Sequence, residues 1–342
     1  MRNCRRYRSP QAEFAAKGRT PRVDIQRSRF GSLLGRFGRA HSAWRPGVAA
    51  ALDLQERACA GGGVDGPSPS GKPHQVSPLL KEDGYSLQSN RKTEEGSDHA
   101  DRDAQFRYIN RAVKQALRVG EAVISVDTKK KELIGNYQNQ GRQWRKTGTA
   151  EKVNGHDFPG PEVPRAYPYG IYDLGRNSGF VNAGTDHHTG AFAVASIRGW
   201  WRAEGRRLYG QARRLLLTAD GGGSNGWRLR LWKWELQRLA DQTGLTLTIC
   251  HFPPGTSQWN KVEHRLFSFL SSNWRGEPLR DYETVVGLIA GTTTAKGLKV
   301  TCRLDHRKYP VGRKITDEEF ARVQLKPDKF HGEWNYTIHP RN

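Results

Sequence analysis

The sequence predicts an α/β fold. Three observations lead there. Apolar runs at residues 123–126 and 215–217 have the length and composition of buried strands. Each run ends in a single carboxylate, Asp127 and Asp220, at the strand end where open α/β sheets place their chemistry. Segments with helical spacing alternate with them, most clearly Leu229, Trp232, Leu236 and Leu239.

Charge comes next. The chain has 342 residues, with 56 Lys and Arg against 34 Asp and Glu, a net charge of +22. That length allows one large domain or two ordinary ones. So basic a balance points to a polyanion, most often nucleic acid, although a merely basic protein shares it. Cys4, Cys59, Cys250 and Cys302 have no zinc-ligand spacing and lie far apart for a disulfide framework. They read as reduced thiols, which with the charge gives the expectation of a cytoplasmic, nucleoid-associated protein. No apolar run approaches the roughly 20 residues that span a bilayer, and no apolar h-region follows the Arg-rich start.

Residues 1–75 carry 14 Lys and Arg against 5 Asp and Glu and show no sustained periodicity. They read as a basic arm of low order, either a nonspecific DNA-binding tail or a segment without a role. A short helix is expected near 76–84. A longer one follows at 101–117, with Phe106, Ile109, Val113 and Leu117 on one face and Gly120 past its end.

The strand ending in Asp127 runs straight into Lys129, Lys130 and Lys131. This is a metal ligand beside a phosphate clamp, or a simple surface ion pair. Residues 136–166 read as a long loop. There Arg142, Arg145 and Lys146 surround Trp144, as in single-strand or backbone binders, or as in a solvated loop with one anchoring ring. Two strands at 168–174 and 179–185 join through a GRNS turn. His187 and His188 follow; neighbours in sequence rarely face one ion, so a plain turn is favoured over a metal site. Phe192, Val194, Ile197 and Trp201 then suggest a helix.

After Asp220 come three glycines, which leave room for a phosphate backbone or a metal, and Ser224 and Asn225, either of which suits a helix cap. The helix is expected at 226–241, with Gly244 as its stop. Leu245, Leu247 and Ile249 alternate as a strand. Pro253, Pro254 and Gly255 turn the chain into a helix at about 258–272, capped by Ser257, with Val262, Leu266 and Phe269 inward. Asn260 and Glu263 share a neighbouring face, so Glu263 is either a site carboxylate or a rim neighbour of Arg265. The tail suggests a helix at 281–290, a strand at 298–304, a capping box at Thr316 and Glu319, and a last aromatic strand.

Asp127, Asp220 and Glu263 are thus 93 and 43 residues apart, each at the edge of a regular element. Three converging carboxylates do not ionise together without a cation. Oxygen ligands in that number suit Mg2+ or Mn2+, and two such ions about 4 Å apart fit in-line displacement at phosphorus.

VISVDTKKKELIG, YGIYDL, RRLLLTADGGGSNGWRLRLWK, LQRLADQTGL, CHFPPGTSQWNKVEHRLFS, NWRG and HGEWNYTI together resemble the Rhodopirellula-type DDE transposases of the ISAzo group, in the ribonuclease-H-like and integrase superfamily. The resemblance runs from about residue 76 to the end. It implies a mixed five-stranded ribonuclease-H-like sheet flanked by helices. It implies a catalytic core at 121–275, a helical remnant of the DNA-binding region at 76–120 and a C-terminal α+β extension at 276–342. Asp127, Asp220 and Glu263 become the DDE triad, with Asp127 and Asp220 bridging two Mg2+ or Mn2+ ions and Glu263 completing one shell. Lys129, Lys130, Lys131, Asn260 and His264 become candidate DNA or supporting contacts, beside Arg142, Arg145 and Lys146. The implied partners are DNA, as element ends and target, and further copies of the chain on that DNA, with neither a membrane nor a small-molecule substrate. Residues 1–75 do not resemble the end-recognition region of such enzymes, which gives the expectation of a replaced segment and a transposition-defective copy. The alternatives are a basic DNA-binding protein without catalysis and a nuclease of the same fold.

Overall fold

A computed structural model describes Ser86, residues 99–156 and residues 159–341. The expected arm at 1–75 and short helix near 76–84 lie outside the described residues.

The elements run in the order helix α1 (Arg102–Arg118), strands β1 (Ala122–Thr128), β2 (Glu132–Leu133), β3 (Arg165–Asp173) and β4 (Ser178–Gly184), helix α2 (Gly190–Trp200), β5 (Arg214–Ala219), α3 (Arg230–Thr243) and β6 (Thr246–His251). A π-helical turn (Glu263–Phe267) leads into α4 (Ser268–Asn273). Then come α5 (Tyr282–Ala290), β7 (Lys299–Asp305), α6 (Asp317–Ala321), β8 (Leu325–Pro327) and β9 (Asn335–Ile338).

The sheet order is β7-β4-β3-β1-β5-β6-β9-β8, with β2 on β3. Its middle, β4-β3-β1-β5-β6, is the expected five-stranded mixed sheet. β3 is antiparallel to both neighbours, while β1, β5 and β6 run parallel. The whole sheet is wider than five strands because the tail adds to both edges: β7 pairs parallel with β4, and β9 pairs antiparallel with β6.

Strand alternation splits the core. Ile124, Val126, Leu215, Leu217, Leu247 and Ile249 face α2 and α3. On the other face Val123 and Leu216 meet Ile109 and Ala116 of α1. Farther along that face, Tyr172 and Val181 meet Val262, Leu266, Phe267, Leu270 and α5. Asp127 and Glu263 belong to this second face.

Three expectations change. The helix after Asp220 begins at Arg230, with Leu229 as its N-cap and 40% exposed. Ser224 and Asn225 lie before it in a short 3-10 turn and are buried. The helix carrying Glu263 does not start at Ser257, which opens a separate 3-10 turn. Its π turn inserts an extra residue, so the apolar face passes from Leu266 to Phe267 and Leu270, and Phe269 points outward. Leu117 also ends up exposed, because Ala116 takes the inward place in the last turn of α1. Gly244 stops α3 in the left-handed conformation, and Thr316 with Glu319 forms the capping box as expected. No helix among the described residues is long and apolar enough to cross a membrane.

Candidate active site

Register sets the first relationship. In the parallel pair β1 and β5, Val126 lies opposite Ala219. The next residues, Asp127 and Asp220, therefore leave neighbouring strand ends side by side. Asn225 joins them: its amide nitrogen is 3.4 Å from Asp127 Oδ1 and 3.2 Å from Asp220 Oδ1. The amide is oriented by the Tyr169 hydroxyl, which donates to Asn225 Oδ1 at 2.8 Å. A carboxamide that accepts from a phenol and faces two carboxylates must present its NH2 to them. Thr128 and Ser224 close the same corner through their hydroxyls, 2.9 Å apart.

Glu263 arrives from the facing helix. Ser125, two residues before Asp127 on the same side of β1, bonds to Asn260 Oδ1 and accepts the Val262 N–H at 3.0 Å. Asn260 donates to the Val126 carbonyl at 3.0 Å. The helix then lies flat on β3 and β4 because Gly170 and Gly179 have no side chains there. A Cβ on Gly170 would overlap Phe267, and one on Gly179 would overlap Leu266. Gly170 is the residue paired with Asp127.

The three carboxylates feel one another. Burial, and then the charge of Asp220, pushes Asp127 well above the usual carboxylate range; Glu263 adds to it. Burial raises Asp220 to about 6, against hydrogen bonds from Asn225 and Gly222 that favour its ionised form. Glu263 is raised by burial and by Asp220, with Lys129 and His264 pulling the other way. Tyr169 is raised far above its ordinary value, by burial and then by both aspartates. Among the described residues none of the three acids has an ion-pair partner within 4 Å. The donor set therefore fits a hard divalent cation in chemistry: oxygen ligands, uncompensated negative charge and a carboxamide beside them. In geometry, Asp127 and Asp220 converge while Glu263 stands apart. No three acidic, His or Cys side chains among the described residues close around one ion.

The other candidates are dispersed. Lys129 is buried, pairs with Glu132 at 2.6 Å and lies over the Trp274 ring at 4.4 Å, so its charge is engaged inside the protein. Lys130, Lys131, His264, Arg142 and Lys146 are exposed. Arg145 is held between Glu151 and Glu277, at 2.9 and 2.8 Å. Asn260 is fully buried and has no surface to offer DNA; it braces the site from within. His188 packs against Tyr167 and Phe192, and burial lowers it to about 4, in keeping with a plain turn. Sequence reasoning missed Ser125 and Tyr169 and took Asn225 for a helix cap. The one available signal was that Asn225 follows Asp220 by five residues with only small residues between.

The family model described as Rhodopirellula transposase DDE domain matches residues 66–340. The chain belongs to this family. It is a DDE transposase, a metal-dependent polynucleotidyl transferase, and the family implies use of a divalent metal. No curated protein matches it. Among solved structures, the transposase is similar to a Mos1 transposase paired-end complex with left transposon end. The TM-score is 0.40 with 13% identity, over 79% of this chain and 80% of that one. It is similar also to a Mos1 strand transfer complex, with a TM-score of 0.39 and 12% identity over 78% of each chain. A Mos1 paired-end complex with Mg gives 0.40 and 12%, again over 78% of each.

Proposed function

We propose that this transposase cuts DNA at the ends of an insertion sequence and joins the freed ends to target DNA, using Asp127, Asp220 and Glu263 as its DDE triad. The observation that carries the reading is the register of β1 and β5. It sets Asp127 and Asp220 side by side with raised pKa values in a chain of this family. Divalent cations, Mg2+ or Mn2+ and two in number, would be held by Asp127 and Asp220 with Glu263 completing the set, and would supply Lewis-acid activation of the attacking oxygen and charge relief on the leaving one. Asn225 keeps the two aspartates aligned, and Ser125 with Asn260 fixes the helix from which Glu263 reaches in. In the first step water attacks the phosphorus at the element end, and the departing oxygen becomes a 3′-hydroxyl. In the second, that hydroxyl attacks a target phosphodiester, so one P–O bond forms as another breaks and no covalent protein–DNA intermediate is needed.

DNA would lie against cations that have no partner among the described residues. They include Lys130, Lys131, Arg142 and Lys146, and a stripe of Arg107, Arg111, Lys114 and Arg118 on the exposed face of α1. Several copies of the chain on paired ends complete the reading. Residues 1–75, if they lack end recognition, would leave cutting without preference for element ends.

The test uses the purified full chain, Mg2+ and DNA carrying candidate terminal inverted repeats. Nicking and strand joining are expected, and both disappear in Asp220→Asn. Equal activity in that variant overturns the triad. Nicking without joining identifies a nuclease, and binding without either identifies a non-catalytic protein.

A further inference from the structure

Asp220 leaves β5 and enters Gly221, Gly222 and Gly223. A Cβ on Gly222 or Gly223 would meet nothing within 4 Å, and Gly223 has φ +59. A Cβ on Gly221 would lie 3.3 Å from the Phe252 carbonyl oxygen, but beyond it side-chain packing does little to hold the Asp220 peptide. A histidine does hold it. His251, the last residue of β6, is fully buried, and its ring Nδ1 lies 2.8 Å from the Asp220 carbonyl oxygen. Its Nε2 lies 3.0 Å from the Tyr336 hydroxyl on β9, and that oxygen lies 3.0 Å from Trp232 Nε1 on α3. Trp232 and Tyr336 are as buried as His251.

For a neutral imidazole, the two ends of this chain fix the direction of every proton in it. An indole N–H only donates, and a carbonyl oxygen only accepts. Trp232 therefore donates to Tyr336, Tyr336 donates to His251 Nε2, and His251 Nδ1–H donates to Asp220. The backbone of His251 is clamped as well. Gln105 of α1 donates to its carbonyl at 2.8 Å while exchanging two amide hydrogen bonds with Asn335 of β9, each 2.8 Å.

We infer that His251 is a positioning residue for Asp220, and that Tyr336 and Trp232 act through it by fixing its Nδ1–H tautomer. The C-terminal strand β9 thereby belongs to the active site without touching DNA or metal. This rests on the reading of Asp220 as a catalytic carboxylate. The competing role is a buried histidine that only fills and satisfies the core.

Isosteres separate the two roles. The amide nitrogen of Asn falls where Nδ1 stands, and that of Gln falls where Nε2 stands. His251→Asn keeps the donor to Asp220 and is expected to hold Mn2+ affinity within about threefold of wild type. His251→Gln loses that donor and is expected to lose about tenfold or more in Mn2+ affinity and in kcat for nicking, with the KM for DNA unchanged. A core filler predicts equal losses for the two variants, and that result overturns the inference. Tyr336→Phe should lower Mn2+ affinity in wild type and add nothing in the His251→Asn background; additive effects overturn it too. Nitrogen NMR of ring-labelled wild-type protein reads the tautomer without any variant. Protonated Nδ1 and bare Nε2 are expected, and the reverse overturns the proposal. Asp220→Asn, assayed alongside, keeps the two readings apart. Full nicking in that variant removes the catalytic reading. Lost nicking there with full nicking in His251→Gln removes only the role of His251.

Discussion

The Ser125 hydroxyl accepts the backbone N–H of Val262 at 3.0 Å, so the strand that carries Asp127 also holds the first turn of the helix that carries Glu263. Ser125→Ala leaves the Val262 N–H and the Asn260 side-chain oxygen Oδ1 buried without that partner. A loss of about 1–3 kcal/mol in folding stability is expected, read as a lower urea midpoint at unchanged slope. Nicking should fall further than the folded fraction, because the helix also loses its register against Asp127. An unchanged midpoint would show that the clamp is not formed in solution.

The same helix depends on space. Gly170→Ala puts a methyl group into Phe267, opposite Asp127 on β3. Overpacking of this kind costs about 1–3 kcal/mol, and the helix must lift to relieve it, taking Glu263 away from the aspartates. Gly287→Ala is the control. It lies within α5 with nothing within 4 Å of a new Cβ, and it should stabilise the protein by about 0.5–1 kcal/mol. Thermal melts of the two variants should move in opposite directions; a shared direction would exclude the close-approach account.

These two sites mark where the sequence was legible and where it was not. Asp127 and Asp220 stand out because each ends an apolar strand, and strand ends are visible in composition. Their adjacency was not visible, since it depends on the pairing of Val126 with Ala219, which no local pattern encodes. Glu263 was visible as a carboxylate on an amphipathic helix, but the π turn beginning at that residue shifted the apolar face and exposed Phe269. Asn225 looks like a cap because a small polar residue before a helix usually is one. Only the third dimension brings it between two carboxylates. Of the strands from the tail, β7 and β9 were read as elements but not placed, because long-range pairing leaves no mark in spacing, and the three-residue β8 was not read.

Acidity gives a signed prediction. Asp220 has a folded pKa of about 6 against an ordinary value of 3.8. Its folded value is raised, so its contribution to stability is fully present below 3.8 and is lost as pH rises through 6. At pH 8 without metal the ionised group therefore costs on the order of 3 kcal/mol. In EDTA, Asp220→Asn should be more stable than wild type by up to that amount at about pH 8, and the difference should vanish near pH 4. Urea melts across this range test it, and a less stable variant at high pH would contradict the burial cost of the ionised Asp220. A divalent cation bound to Asp220 would offset the same cost. At a hundred times its Kd it should add about 2.7 kcal/mol to wild type and far less to the variant.

Salt dependence separates the cations that meet DNA from those used up inside the protein. Each phosphate contact contributes about 0.9 to the slope of log K against log salt. Lys130 and Lys131 are exposed and have no hydrogen-bond or ion-pair partner among the described residues, so replacing both with Ala should reduce the slope by about 2 and weaken binding evenly across sequences. Arg145 is spent on Glu151 and Glu277. Arg145→Ala should leave the slope nearly unchanged while freeing the Glu277 carboxylate to repel the backbone, since Glu151 keeps Arg280, a small uniform loss of affinity. Filter binding or anisotropy on one duplex at several salt concentrations distinguishes them. An Arg145 variant that lowers the slope as much as one lysine would mean that DNA opens its ion pairs on binding, and the loop at 136–156 would then belong to the DNA surface.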